Sequence, residues 1–134
     1  MYELGTRHAR LEAERRLDDL MTTLSGDPVY EFHPLGKKLA GRDRARRYYE
    51  QFFTGFMELT TGYVLRDEWV NENSVVQEYD ITLEVDGSVE THRVVGILYV
   101  DPGNNVLGGE RVYANERVSR LMLGPLFEEL EELD

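Results

Sequence analysis

The stretch Asp27-Pro28-Val29-Tyr30-Glu31-Phe32-His33-Pro34-Leu35-Gly36 ends its apolar alternation in a histidine held by a proline. Leu39-Ala40-Gly41-Arg42 and a helix carrying Tyr48-Tyr49 follow it. An imidazole titrates near neutral pH and serves as a general acid or base. A phenol donates a hydrogen bond to a carbonyl or enolate oxygen. A strand, a loop and a helix in this order are expected to aim His33 and Tyr49 into one cavity. The chemistry expected there is proton transfer on a small molecule without a cofactor.

Strand parity adds candidates. Val75, Gln77, Tyr79, Ile81, Leu83 and Val85 share a face far more apolar than Val76, Glu78, Asp80, Thr82 and Glu84, so the first set is predicted to face inward. Gln77 and Tyr79 then line the pocket. Tyr30 and Trp69 are candidate wall residues, with packing in the core as the plainer role for Trp69 and for Phe52, Phe53 and Phe56. His33 has a plain alternative too, a strand-end histidine bonded to backbone. Buried tyrosines pack their rings and find one hydroxyl partner, which is the alternative for Tyr49, Tyr79 and Tyr113. His8 reads as a helix-surface residue. The outward acids Glu78, Asp80 and Glu84 read as a solvated or dimer-forming face, with no metal site expected.

These residues need elements to position them. Leu11, Leu17, Leu20, Met21 and Leu24 give one apolar stripe, which predicts helix over about 4–24, breaking near Arg15-Arg16. Pro28 ends that region, and Val29–His33 reads as a short strand. A second helix runs from Gly41-Arg42-Asp43 to about Phe56. Strands are predicted over 60–69, 75–85, 91–100 and 106–115, separated by Asn71-Glu72-Asn73, Asp86-Gly87 and Asp101-Pro102-Gly103-Asn104. A last helix spans about 118–133, broken at Gly124-Pro125. The reading is α+β: a curved antiparallel meander wrapped as a cone around N-terminal helices, open at one end as an internal pocket.

The 134 residues suit a single domain over 1–134. The net charge of -11 opposes binding to nucleic acid and to anionic membranes. Glu128, Glu129, Glu131, Glu132 and Asp134 read as a solvated helix end. The absence of cysteine removes thiol catalysis, disulfides and thiolate metal sites. No apolar run reaches the ~20 residues of a membrane span. The first residues lack the pattern of a signal peptide, so the cytoplasm is the expected compartment.

The Asp27–Gly36 stretch, Gly41-Arg42-Asp43 with Tyr48-Tyr49, Gly96, and Glu110-Arg111-Val112-Tyr113-Ala114-Asn115 together resemble the SnoaL-like branch of the nuclear-transport-factor-2-like superfamily. The likeness runs from about His8 to Leu126. It implies the cone fold, a small hydrophobic carbonyl-bearing or polycyclic ligand, no cofactor, and a homodimer through the outer sheet face. It implies either an isomerase, aldol cyclase or dehydratase type of enzyme, or a non-catalytic binding or dimerisation module. Matched to ketosteroid isomerase, His33-Pro34 takes the place of the general-base aspartate and Tyr49 that of a network phenol. Gly96 replaces the oxyanion-binding acid, and the first-helix phenol falls near Ala9, so that activity is not expected. The epoxide hydrolase positions hold Gln77, Tyr79 and Asn115, none a strong base. The resemblance turns Gly96 inward, with His92, Val94 and Leu98, and turns Arg111, Tyr113 and Asn115 inward on the last strand. The site expected from all this has His33, Tyr49 and Tyr113 as catalytic residues. Tyr30, Trp69, Gln77, Tyr79, His92, Leu98, Arg111 and Asn115 contact the substrate.

Overall fold

The computed structural model describes Met1–Asp134. Helices α1 (Tyr2–Ala13) and α2 (Leu17–Met21) carry the predicted stripe, and Leu11, Leu20 and Met21 are buried. The break falls at Glu14–Arg16, as the sequence suggested, with Arg15 at φ 56. Strand β1 (Leu24–His33) starts five residues earlier than predicted, and β2 (Lys37–Ala40) occupies residues read as loop. Helix α3 (Arg42–Gln51) continues through a π-helical turn (Phe52–Phe56) into α4 (Met57–Leu59). The long strands β3 (Thr60–Val70), β4 (Ser74–Val85), β5 (Ser88–Val100) and β6 (Leu107–Tyr113) form the predicted antiparallel meander. Helix α5 (Glu116–Leu123) ends at Gly124, and a 3-10 turn (Gly124–Glu129) leads to β7 (Glu131–Glu132).

One mixed seven-stranded sheet results, in the order β3-β4-β5-β6-β1-β2-β7. The expectation of an antiparallel sheet is corrected at β1, which pairs parallel to β6. The helices cover one face. Leu11, Leu20, Tyr30, Phe32, Tyr48, Tyr49, Phe53, Leu83, Val112, Val118 and Leu123 meet there in one core. Arg42 joins α3 to the α2–β1 corner by donating to the carbonyls of Met21, Leu24 and Ser25 at 2.9–3.2 Å. The acidic tail differs from its expected role: Glu129 pairs with Arg47 and Glu131 with Arg44, while β7 pairs with β2, so these charges tie the C-terminus onto α3 and the sheet edge.

Strand β6 decides which side chains face the helices. Leu107 and Val112 are both buried although five residues apart, which strict alternation forbids. The extra residue is taken up at Gly108–Gly109, where the β5–β6 register shifts. Gly109 lies at φ 144 against the β1 backbone, and an added Cβ would sit 1.8 Å from the Val29 carbonyl oxygen. Beyond this bulge Glu110, Val112 and Ala114 face inward, and Arg111 and Tyr113 face outward. That is the reverse of the expectation for Arg111 and Tyr113.

Candidate functional site

A cavity of about 530 Å³ opens between α1 and the concave sheet face. Helix α1 contributes His8, Ala9, Glu12 and Ala13, with Arg15 just beyond it. Phe52 and Phe56 come from the π-helical turn, a local widening that recurs at functional sites. Met57, Thr60 and Tyr63 follow, then Gln77, Tyr79 and Ile81 on β4, Gly96 and Leu98 on β5, and Glu110 on β6. The inward parity of β4 and β5 holds, and it brings Gln77, Tyr79 and Leu98 to the cavity as expected.

Glu110 is the central polar group. An ideal Cβ on Gly96 would lie 2.7 Å from its Oε1, so glycine at 96 leaves the space that the carboxyl occupies. Burial among apolar walls pushes the Glu110 carboxyl well up from its ordinary value, and the Glu12 charge pushes it further. No cation of the cavity pairs with it. Burial first, then the Glu110 and Glu12 charges, also raises the Tyr79 phenol well above its usual range. Tyr79 rests against Tyr63, ring centroids 4.9 Å apart.

Behind this wall runs a chain of four buried groups. Thr23 Oγ1 donates to the Leu20 carbonyl at 2.7 Å, so its contact with His8 Nδ1 at 2.7 Å must have the ring nitrogen as donor. In the neutral ring that leaves Nε2 as acceptor of the Tyr49 hydroxyl at 3.0 Å. Tyr49 oxygen then accepts from the Tyr30 hydroxyl at 2.7 Å. Glu12 Oε2 stands 3.6 Å from His8 Nε2. His8 is 1% exposed, which corrects its reading as a surface residue. Tyr30 and Tyr49, expected to contact the substrate, do not line the cavity: they are buried behind its wall with their hydroxyls committed to this chain. Replacing Tyr49 with Phe keeps the ring but strips a donor from His8 and an acceptor from Tyr30. We expect a loss of about 2 kcal/mol, read from the denaturant midpoint. A loss under about 0.5 kcal/mol would show that the chain contributes little.

The remaining expected residues do not reach the cavity. Tyr30 and Phe32 alternate inward on β1, which turns Glu31 and His33 outward. His33 Nε2 lies 3.0 Å from Glu31 Oε1, and its ring stacks on Tyr113 with centroids 4.7 Å apart. Arg111 Nε donates to Glu31 at 3.4 Å, and its guanidinium covers the Tyr99 ring. Tyr113 is 43% exposed and Trp69 52% exposed. Asn115 caps α5 by accepting from the Val118 amide and reaches His92 Nδ1 with its amide nitrogen. His92 keeps the inward parity but lies beyond the cavity end, where it meets Glu90. Arg117 and then His92 draw the Glu90 carboxyl down to about 2. His8, Glu12, Tyr63 and Glu110 are lining groups that the sequence reading did not place here, and Phe52 and Phe56, read as core packing, line the cavity too. The i, i+4 spacing of His8 and Glu12 was the one signal available for them.

The sequence profile described as SnoaL-like domain matches residues 6–106. The chain belongs to the SnoaL-like domain family. Solved structures agree on the fold. An NTF2-like protein of unknown function from Cytophaga hutchinsonii is 19% identical, with 94% of this chain and 93% of that chain aligned at a TM-score of 0.64. A bacterial protein with a cystatin-like fold from Silicibacter pomeroyi is 11% identical, with 95% and 87% aligned at 0.72. An NTF2-like protein from Anabaena variabilis is 20% identical, with 84% and 90% aligned at 0.60. No protein of curated function matches. No helix in this SnoaL-like chain is long and apolar enough to cross a membrane. Glu110 lies outside the matched residues, so its place in the site rests on geometry alone.

The raised Glu110 carboxyl has a consequence for stability. The folded chain binds more protons than the unfolded chain over the range between the two values. This contribution is fully present below the ordinary carboxyl value and is lost as pH rises through the folded one. Glu110→Gln lacks the loss, so its Tm relative to the parent is expected to rise as pH increases from the ordinary carboxyl value through the raised one. Parallel scanning calorimetry checks this, and a constant difference would refute it.

Proposed function

We propose that this SnoaL-like chain is a cofactor-free acid/base catalyst acting on a small hydrophobic carbonyl compound. The observation behind this reading is Glu110, a carboxyl set into an apolar cavity, favoured in its protonated form and free of any paired cation. A substrate carbonyl oxygen beside Glu110 receives its proton. Glu12, at the α1 side of the same cavity, accepts a proton from the carbon next to the carbonyl. The C–H electron pair becomes the C=C bond of an enol, and reversal in another direction completes an isomerisation or an aldol-type closure. Two carboxyls held in unlike environments suit the two roles.

The test needs no knowledge of the natural substrate. Incubation of 2-tetralone in D2O with the protein is expected to accelerate exchange of its α-protons, followed by NMR. General acid/base groups contribute factors of about 10²–10⁴. Exchange at the buffer rate would overturn the catalytic reading. A non-catalytic binding module is the second reading. It is favoured by the His8–Tyr49–Tyr30 chain, whose donors are all spent inside the protein. We further propose a homodimer through the outer sheet face, where Trp69 and Tyr113 stand exposed. A monomer in light scattering at micromolar concentration would count against it.

A further inference from the structure

We propose that the cavity, besides a carbonyl substrate, binds a small hydrophobic organic cation, an ammonium group carried on an apolar body, which competes for Glu110. The proposal rests on the cavity being the ligand site and names the chemical class that fits it.

The charge pattern of the lining points there. Glu12 and Glu110 both face the cavity, and the lining supplies no free cation to match them. Both ring nitrogens of His8 are taken by Thr23 and Tyr49. Arg15 sits at the rim, 44% exposed, with its guanidinium on Glu58. Tyr63 from β3 and Tyr79 from β4 are the other titratable groups facing Glu110, and Tyr30, Tyr48 and Tyr49 lie in the core behind the cavity wall. None of these phenols brings positive charge. A carboxylate in an apolar site without a partner is costly, and an entering cation supplies that partner. An anionic ligand would meet the Glu12 charge and find no free cation in the lining to match its own.

The walls fit the same ligand. Phe52, Phe56, Tyr63 and Tyr79 offer aromatic rings, whose faces attract an ammonium group within about 6 Å. Ile81 and Leu98 complete an apolar wall for the body of the molecule. Quaternary and tertiary ammonium groups suit such a site better than a primary amine, because they are weakly hydrated and carry hydrocarbon around the charge.

Binding is expected to move a proton. Burial pushes the free Glu110 carboxyl up, and a cation beside it draws the group back toward the carboxylate. The balance is ammonium plus carboxylic acid giving the ammonium–carboxylate pair plus one proton released to solvent. No bond other than the O–H is broken.

The probe is benzyltrimethylammonium, titrated by calorimetry over a pH series upward from the ordinary carboxyl value, each time in two buffers of different ionisation enthalpy. Its neutral isostere neopentylbenzene and the anion phenylacetate serve as comparisons. We expect the cation to bind at least about ten times more tightly than either, with a buffer-dependent heat that reports proton release. Glu110→Gln is expected to weaken the cation at least tenfold and to abolish the proton release. Gly96→Ala provides a second variant, because its Cβ displaces the Glu110 carboxyl end rather than backbone. It is expected to weaken the cation as well. Equal affinity for the neutral isostere, an unchanged Glu110→Gln variant, or no binding of the cation would overturn the proposal. Catalysed 2-tetralone exchange without cation binding sinks this inference alone. Cation binding with proton release but no exchange sinks the catalytic reading alone.

Discussion

Glu110→Gln is expected to lower α-proton exchange on 2-tetralone by at least about 100-fold while leaving the fold intact. Glutamine nearly matches glutamate in shape and keeps the space beside Gly96 filled, but its amide does not titrate. The loss should fall on kcat more than on KM, because the proton moves only as the reaction proceeds. The pH profile adds a readout that packing alone would not move. The parent should lose activity as pH rises through the raised Glu110 value, since the acid form is the donor. The variant's residual rate should lack that limb. Glu12→Gln should lower the rate separately, through the proton-accepting side. His33→Ala should leave the rate unchanged, because His33 sits on the outer face against Glu31 and Tyr113. Loss of exchange in His33→Ala with none in Glu110→Gln would reverse the assignment of the site.

The second large effect concerns stability. Gly109→Ala is expected to destabilise the protein by at least about 3 kcal/mol, about 10 °C or more in Tm, or to prevent folding. Two penalties coincide there. The φ of 144 is strained for any residue with a Cβ, and that Cβ would land 1.8 Å from the Val29 carbonyl oxygen. The nearest atoms are backbone that cannot swing aside, since Val29 is itself paired with Ala40, and the Tyr99 hydroxyl lies 2.9 Å away as well. Gly96→Ala makes the useful contrast, because the atom it meets is the movable end of Glu110. A Gly109→Ala variant melting within about 2 °C of the parent would show that the bulge relaxes without cost. Because the bulge sets the parity of β6, a variant that folds by erasing it should also turn Glu110 away from the cavity. Exchange activity would then fall along with stability.

The sequence by itself determined the local elements and the large-scale class. The apolar stripe of Leu11, Leu17, Leu20 and Met21, the turn residues around Asp86-Gly87 and Asp101-Gly103, and the alternation from Val75 to Val85 are short-range signals. Each follows from the chain's own periodicity, and each reappears in the structure. The cone fold and the inward face of β4 followed from them, and with that face Gln77 and Tyr79. The alternation of Tyr30 and Phe32 against Glu31 and His33 was equally legible, and it already turned His33 away from the core. Tertiary structure decided the rest. One extra residue at Gly108–Gly109 reverses which side of β6 faces the helices; the glycine pair is the sequence's only mark of it, and the packing against Val29 decides its effect. The parallel pairing of β1 with β6 joins segments about 80 residues apart. Glu110 lies among charged and aromatic neighbours in the sequence and reads there as a surface acid. Only the approach of α1, β4, β5 and β6 encloses it, and enclosure is what pushes its carboxyl up from the ordinary value.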